Sequence, residues 1–393
     1  MTRSASLVLA ICSVIAAPAV AGQGAEQTPA PLEPVFELVP EAYIQLDWRA
    51  FPESPVTPGT GRLAFDTFEV RRLRAGVKGQ WHGARYELTL DPQDLDGTLV
   101  KDAYVELRPG SYEIRIGQFK PPGSREYGTS ARQTDLLERA GLGRELAAQR
   151  DLGAALHGDL GQRFDYEVGL FAGDNNGSRD RSGLTTAGRL EWEPRRDLVV
   201  AAYGSEGRLT AVDTDPENGL EGRLSSGYRF FENVYVHGQR TRLGGDVEWS
   251  PGRWQFTGEM LRVRDERQEQ GVDLDDLPAV VGTGASLTTR WRFATRRDLT
   301  FRYEYLGFDD VGPETAMASV RPRASDLRAR SAQNVTFGGS WRLTRWLRLM
   351  GNAGVDWFSD PRTAPKAGRA GAFWTFGTRL QVDLPAIAGL RFR

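Results

Sequence analysis

The stretch ARYELTLD (residues 84–91) alternates apolar and polar side chains with a period of two residues. It places Tyr86, Leu88 and Leu90 on one face of a strand and charged or hydroxyl side chains on the other face. The same division recurs in RFDYEVGLF, DAYVELR, TRLGGDVEW, DLTFRYEY and FWTFGTRLQVDL. The repeated pattern predicts an all-β chain in which each strand has one apolar and one polar face.

Arginine is the main basic residue on the polar faces. The chain has 50 Lys and Arg residues, of which only Lys78, Lys101, Lys120 and Lys366 are lysines. An arginine at the middle of a bilayer costs roughly 2 to 4 kcal/mol, so five of them would cost about 10 to 20 kcal/mol. That cost is comparable to or above the stability of a typical domain. We therefore expect the arginines to point into a water-filled lumen and the apolar faces to point toward lipid.

The connections between the strands alternate in length. Short turns such as SPGR (250–253) take turns with long segments such as residues 205–238. Eight long and seven short connections would join sixteen strands. Short periplasmic turns on one rim and long extracellular loops on the other are typical of outer-membrane barrels. The sequence therefore predicts a transmembrane antiparallel β-barrel, most simply with sixteen strands and one loop folded inward.

Tryptophan positions give an independent indication of a membrane. Five of the ten tryptophans lie beside predicted short turns: Trp192, Trp249, Trp254, Trp341 and Trp346. Because amphipathic indole rings collect at membrane interfaces, they predict a girdle on the rim of the short turns. Ordinary core packing near strand ends is the alternative.

The two ends of the chain differ in composition from its middle. Residues 1–21 contain an apolar run and end in AVA, the pattern of a cleaved signal peptide, so we expect an exported protein. Residues 22–40, rich in Pro and Gln, are expected to form a disordered lead-in. The barrel is expected to occupy residues 41–384, followed by a C-terminal extension at 385–393. Cys12 is the only cysteine, so no disulfide framework is expected.

The stretch FEVRRLRAGVKGQW (68–81) breaks the alternation, because its first two apolar residues are out of phase with the later ones. A β-bulge near Arg71 and Arg72 would restore the phase. We expect this bulge to turn Arg72, Arg74 and Lys78 inward.

The stretch IRIGQFKPPGSREYGTSARQTDLLERAG (114–141) begins as a strand, stops at PPG and continues as a charged segment. The prolines and glycine provide a bend that can send the following loop into the barrel. Ser130 and Gln133 have the spacing of a capping box at the start of a helix. We expect a short helix over residues 130–141 that lies on the inner wall, turns its charges toward water and narrows the lumen.

At these residues the chain resembles a known family. RIGQFKPPGSREYGTSARQTDLLERA is similar to the strand, proline bend and inward loop of the phosphate-selective porin O and P family. FEVRRLRAGVKGQW, GQRTRLGGDVEWSPGRWQFTGEMLRVRDER and TFGTRLQVDL resemble other recurrent stretches, and together the matches cover most of residues 65–384. The chain departs from the family in its few lysines and in its ending, LRFR, which follows the aromatic residue with an arginine.

The resemblance implies a sixteen-stranded barrel that spans the outer membrane of a Gram-negative bacterium and contacts its lipid. It also implies a homotrimer and passive diffusion of small anions, such as phosphate or polyphosphate, past arginines and a lysine cluster. A barrel of this kind needs no cofactor.

Basic residues of the strands and of the predicted inward loop are candidates for an anion pathway. Arginine suits this role because its charge is permanent and its planar fork binds phosphate or carboxylate oxygens. The candidate pathway and constriction residues are Arg74, Arg85, Arg115, Lys120, Arg125, Arg132 and Arg139. The alternative for each is bracing of the wall, because the acidic residues expected in the lumen roughly match the basic ones.

Other classes of function find little support. A net charge of −2 gives no general attraction to nucleic acid. The three histidines are isolated, GDNNGSRD (173–180) lacks the ligand spacing of an EF-hand, and no P-loop occurs. We therefore expect no catalytic, cofactor or metal site. Two hypotheses remain beside a porin: a non-conducting outer-membrane barrel whose loops bind a ligand or partner, and a soluble secreted β-sandwich.

Overall fold

The computed structural model describes most of the chain from the first strand onward. The described residues are 36–50, 56–57, 61–62, 67–93, 99–173, 183–210, 220–225, 229–234, 237–269, 276–309, 331–358, 372–384 and 390–392. The predicted signal peptide (1–21) and residues 22–35 of the predicted lead-in lie outside these ranges, whereas residues 36–40 belong to the first strand and not to a disordered segment. Within them, no helix is long and apolar enough to cross a membrane.

The described residues are mostly in strands. In chain order the strands are β1 (Phe36–Ala50), β2 (Val56–Thr57), β3 (Gly61–Arg62), β4 (Thr67–Trp81), β5 (Ala84–Leu90), β6 (Val100–Leu107), β7 (Tyr112–Phe119), β8 (Asp151–Asp159), β9 (Phe164–Phe171), β10 (Thr185–Arg195), β11 (Leu198–Thr210), β12 (Leu220–Arg223), β13 (Arg229–Val234), β14 (His237–Trp249), β15 (Trp254–Arg267), β16 (Leu277–Ala294), β17 (Arg297–Phe308), β18 (Ser331–Arg342), β19 (Leu347–Phe358), β20 (Ala372–Leu384) and β21 (Leu390–Phe392).

Sixteen of these strands form one closed antiparallel barrel, which confirms the predicted fold. Each barrel strand pairs with the next one along the chain, and β1 pairs with both β4 and β20, which closes the sheet. The register at this closure places Asp47 opposite Arg379. Outside the ring, β2 pairs with β3 and β12 with β13, while β21 pairs with the beginning of β1 and sets Phe392 opposite Phe36.

The side chains of the barrel strands point alternately to the outer surface of the barrel and to the lumen. On β15, Met260 is 56% exposed, whereas the next residue, Leu261, is 1% exposed. The predicted bulge in β4 is confirmed, because Gln45 pairs with Arg72 and Leu46 with Val70, leaving Arg71 between them. The bulge restores the alternation along β4, as the apolar pattern requires.

Short turns lie on one rim of the barrel and longer connections on the other. The five tryptophans predicted beside the short turns are each 41 to 44% exposed: Trp192, Trp249, Trp254, Trp341 and Trp346. Trp254 stacks on Trp291 with ring centroids 5.4 Å apart. This exposure contradicts ordinary core packing and is what an interfacial girdle requires.

Residues 121–150, called the inward loop below, connect β7 to β8. They contain α1 (Arg125–Gly128), capped by the Ser124 side chain, and one π-helical turn (Leu142–Leu146). The helix predicted over residues 130–141 is wrong, since residues 130–140 consist of turns, bends and irregular backbone. Its carbonyl groups find partners on the barrel wall instead of in a helical ladder, as described below, so the capping-box spacing has no helix to cap.

Apolar side chains fill one part of the barrel interior. Leu142 and Leu146 of the inward loop share a buried cluster with Phe230 and Phe231 of β13. Phe231 stacks on Phe308 of β17 with ring centroids 4.2 Å apart. A Cβ on Gly284 of β16 would lie 2.5 Å from the Leu142 Cβ, so glycine allows this close approach. The inward loop and the β12–β13 hairpin therefore pack against the wall made by β15 to β18.

Candidate functional site

Wall arginines fix the inward loop through its backbone carbonyls. Four such bonds are Arg242 Nε to Leu146 O (2.8 Å), Arg302 Nη1 to Glu138 O (2.8 Å), Arg348 Nη1 to Thr134 O (3.0 Å) and Arg379 Nη1 to Leu137 O (2.6 Å). A loop without a regular ladder needs such donors, because an unbonded buried carbonyl is costly. These arginines brace the loop through its backbone, which differs from the pairing with wall carboxylates stated as the alternative for the candidate residues.

Wall carboxylates bind the amide groups of the same loop. Glu259 of β15 accepts hydrogen bonds from the N–H groups of Arg125 (3.1 Å) and Glu126 (2.8 Å) at the start of α1. Glu304 of β17 accepts from the N–H of Gly141 at 2.9 Å. The wall thus binds the loop at two places, the start of α1 and Gly141, and this fixes the positions of the charged side chains of the loop.

Glu138 joins the loop to the closure of the barrel. Its carboxylate lies 2.6 Å from Arg49 Nη2, 2.6 Å from Arg71 Nε, 3.3 Å from Arg72 Nη2 and 3.6 Å from Arg379 Nη2. The side chain is only 5% exposed, so the expectation that the loop charges face water is wrong for Glu138. Burial alone would raise the pKa of this carboxyl, but the surrounding guanidinium groups outweigh it and hold the pKa well below its usual range.

A cavity of about 660 Å³ remains beside the first half of the inward loop. Its strand residues come from β1, from β4 to β7, and from β9 and β10, whereas the apolar cluster lies against β15 to β18. Its basic lining residues are Arg74, Lys78, Arg115, Lys120, Arg125, Arg132, Arg150 and Arg189. Its acidic lining residues are Glu41, Glu87, Asp102, Glu167 and Glu191. The lining itself therefore has three more basic than acidic side chains, before the carboxylates that lie behind it are counted.

Five of the seven candidate pathway residues line this cavity: Arg74, Arg115, Lys120, Arg125 and Arg132. Most of them are paired with carboxylates. Arg74 lies 3.1 Å from Asp91, Arg115 2.8 Å from Glu106, Arg125 2.6 Å from Asp246 and Arg132 2.8 Å from Asp383. The structure therefore brings these five candidates to one cavity, where four of them are held by carboxylate partners.

The other two candidates, Arg85 and Arg139, lie outside the lining. Arg85 is half-exposed and pairs with Glu106 and Glu113 near the short-turn rim. Arg139 points back into its own loop, where it donates to the carbonyls of Glu126 (3.0 Å) and Thr129.

Lys120 differs from the arginines around it. Its Nζ donates to the carbonyls of Gly128 (2.9 Å) and Thr129 (3.3 Å), and among the described residues it has no carboxylate within salt-bridge distance. Burial lowers the pKa of Lys120 well below its usual value, and the positive charges of Arg139 and Arg150 lower it further. Lys120 is therefore held by backbone carbonyls, and its surroundings disfavour the charged ammonium form.

Three basic side chains of the cavity are not among the seven candidates: Lys78, which the bulge was expected to turn inward, Arg150 and Arg189. Arg150 forms a two-pronged pair with Asp102 (3.0 and 2.8 Å), and Arg189 binds Asp246 at 2.6 Å. Strand parity places Arg189 inward, but parity cannot tell which part of the lumen an inward residue faces. Within the described ranges, no group of three His, Cys, Asp or Glu side chains could hold a metal ion.

A model of one protein family matches residues 59–352 of the sequence, and its description is phosphate-selective porin O and P. A comparison with curated proteins finds no match. The family match covers most of the barrel and of the inward loop.

Several solved outer-membrane proteins are similar in fold. OmpT of Vibrio cholerae with loop L8 deleted is 12% identical, with a TM-score of 0.60 over 88% of this chain and 99% of that chain. OmpT of the same organism in a trimer form is 12% identical, with a TM-score of 0.58 over 88% and 99%. The outer membrane channel DcaP of Acinetobacter baumannii is 10% identical, with a TM-score of 0.55 over 88% and 97%.

Proposed function

This chain belongs to the phosphate-selective porin O and P family, and from that premise we propose that small anions, phosphate or polyphosphate among them, diffuse passively through its lumen. Family and fold make it an outer-membrane channel. The proposed pathway runs through the cavity between the inward loop and the wall of β4 to β10. The charged lining of this cavity is the observation that carries the proposal.

The lining favours anions without binding them tightly. An excess of positive charge in a narrow aqueous passage raises the local concentration of anions. However, carboxylates already neutralise much of the charge of Arg74, Arg115, Arg125 and Arg132. Paired arginines retain donors for a passing oxyanion but attract it less than free ones would. We therefore infer a mild preference for anions rather than a tight phosphate site.

The proposed assembly is a homotrimer in the outer membrane, exported with a signal peptide cleaved after residue 21. The trimer form of the similar OmpT barrel supports this assembly, and the apolar run that ends in AVA supports the export signal.

Arg132→Glu is expected to shift the channel toward cations. Arg132 lines the cavity with a side chain 36% exposed, and the substitution reduces the excess of positive lining charges from three to one. A change of about 1 kcal/mol in the difference between the free energies of a passing anion and a passing cation would change the anion-to-cation permeability ratio about fivefold. The reversal potential of the purified protein in a planar bilayer with a KCl gradient measures this ratio.

Arg292→Glu is the matched control, because Arg292 is 60% exposed near the short-turn rim and lies outside the cavity lining. It should leave the reversal potential unchanged. A channel with no anion preference, or an equal response to both substitutions, would contradict the proposed pathway. A protein that inserts but never conducts would instead favour the barrel whose loops bind a ligand or partner.

A further inference from the structure

The outward face of β11, β14 and β15 changes from apolar to positively charged side chains near the long-loop rim. On β15, the exposed Met260 is followed by two exposed arginines, Arg262 and Arg264, which alternate with buried residues. On β14, Leu243 is 71% exposed and lies opposite Arg262. Arg208 of β11 is exposed at a neighbouring position, opposite Gln239 of β14. We call Arg208, Arg262 and Arg264 the arginine patch.

The patch lies at the level where the outer leaflet of the membrane meets water. Trp254 marks the short-turn rim at the other end of β15. A strand that rises about 3.3 Å per residue and tilts by about 40° brings Arg262 roughly 20 Å, and Arg264 roughly 25 Å, above Trp254. The apolar band of such barrels is about 25 Å tall, so both guanidinium groups reach the head groups of the outer leaflet.

Elsewhere on the same rim the outward residues are aromatic. Trp48 lies against Phe68 with ring centroids 6.4 Å apart, and Trp374 stacks on Phe376 at 6.4 Å. These pairs are what an outer aromatic girdle requires. The arginine patch therefore interrupts the girdle with positive charge at one place on the circumference.

The charge of the patch is only partly matched. Arg264 lies 3.3 Å from Glu266, whose carboxylate also accepts from Gln268 Nε2 at 2.9 Å and from the Gln239 N–H at 3.1 Å. Arg262 has no hydrogen bond or ion pair with any residue that the structure describes. An unpaired arginine on the lipid face is unfavourable unless an anionic head group lies at its level.

We propose that the arginine patch binds the phosphate group of a lipid in the outer leaflet. The planar fork of arginine matches phosphate oxygens in a two-pronged geometry. The exposed apolar side chains of Leu243, beside Arg262, and of Met260, one outward position below Arg262, provide contact for the acyl chains of the same lipid. The site is separate from the lumen, so it does not depend on which solute the channel conducts.

Binding of lipid A to the detergent-purified protein tests this site, with dephosphorylated lipid A and inorganic phosphate as comparisons. The wild-type protein should bind lipid A more tightly than either. Arg262→Gln together with Arg264→Gln should weaken lipid A binding roughly 30-fold, because each basic residue near an anionic surface contributes a factor of about five. Arg195→Gln with Arg292→Gln, two exposed arginines near the opposite rim, should leave binding unchanged.

Unchanged conductance in the double variant will show that the barrel is intact. Equal binding of lipid A by the wild type and the double variant would overturn the proposal, as would equal binding of dephosphorylated lipid A. If the double variant changes the oligomeric state and leaves lipid binding intact, the patch is a contact between copies of the chain and the lipid site is refuted.

Discussion

Glu138→Ala is expected to release the inward loop from the closure of the barrel and to raise the single-channel conductance. The carboxylate contacts guanidinium groups from β1, β4 and β20 at once. Removing one partner of a buried ion pair costs about 3 to 5 kcal/mol, because the remaining charges stay uncompensated. Arg71 and Arg72, which lose this carboxylate, should also increase the preference for anions, whereas Arg49 and Arg379 keep their pairs with Asp47. Single-channel recordings in a planar bilayer measure both effects.

Asp197→Asn is the matched control for this prediction, because Asp197 is 40% exposed on the short-turn rim, where it lies 3.4 Å from Arg195 and accepts from Trp249 Nε1 at 3.0 Å, a bond that an amide oxygen can also accept. It should leave conductance and selectivity as they are. A Glu138→Ala channel with the conductance and selectivity of the wild type would show that the loop does not depend on this carboxylate.

The contacts of Glu138 should survive mild acid. A carboxyl whose pKa is lowered by folding contributes stability above its unfolded pKa of about 4.3, and this stability is lost only as the pH falls through the lower folded value. We therefore expect conductance to show no loop release between about pH 8 and pH 5 in the wild type. Release in this range would mean that the carboxyl titrates near its ordinary value.

Arg379→Met is expected to lower the free energy of unfolding by about 3 to 5 kcal/mol. Arg379 and Asp47 are both fully buried, and two bonds of 2.6 and 2.8 Å join them across β1 and β20, where the barrel closes. The substitution removes the two-pronged partner of the Asp47 carboxylate, which keeps only the single contact with Arg49 Nη2 at 3.0 Å. Urea unfolding in detergent, followed by tryptophan fluorescence, measures the loss.

Combining Arg379→Met with Asp47→Asn should recover part of this loss, because no unpaired charge then remains at the pair. Recovery should stay incomplete, since Arg379 also donates to the Leu137 carbonyl. Arg292→Met, which breaks an exposed pair with Asp298, should cost about 1 kcal/mol or less. A single variant as stable as the wild type, or strictly additive losses, would contradict the role of the Asp47–Arg379 pair.

The barrel could be predicted from the sequence because its signals are local. Strand parity has a period of two residues, so a segment such as 84–90 reveals its own apolar face. The bulge at Arg71 was likewise visible as a break in phase within one strand. Turn lengths and tryptophan positions then gave the strand number and the membrane rim without any knowledge of distant contacts.

The interior could not be predicted in the same way because its contacts are distant in the chain. The partners of Glu138 come from strands near both ends of the chain. The leucines of the inward loop pack on Phe230 and Phe231 of β13, about 90 residues later in the sequence. Parity shows that Arg115 and Arg379 both point inward. It does not show that Arg115 lines the cavity while Arg379 braces the loop.

The reactivity of single thiols toward a water-soluble reagent tests the position of the aqueous passage most directly. Cys12 is the only cysteine, so a Cys12→Ser background leaves each introduced thiol alone. Thr89→Cys places a thiol in the cavity lining, and Ala332→Cys places one in the apolar cluster, where Ala332 is 1% exposed. We predict rapid modification at position 89 and protection at position 332 in the folded protein. Protection at 89 together with rapid modification at 332 would contradict this account.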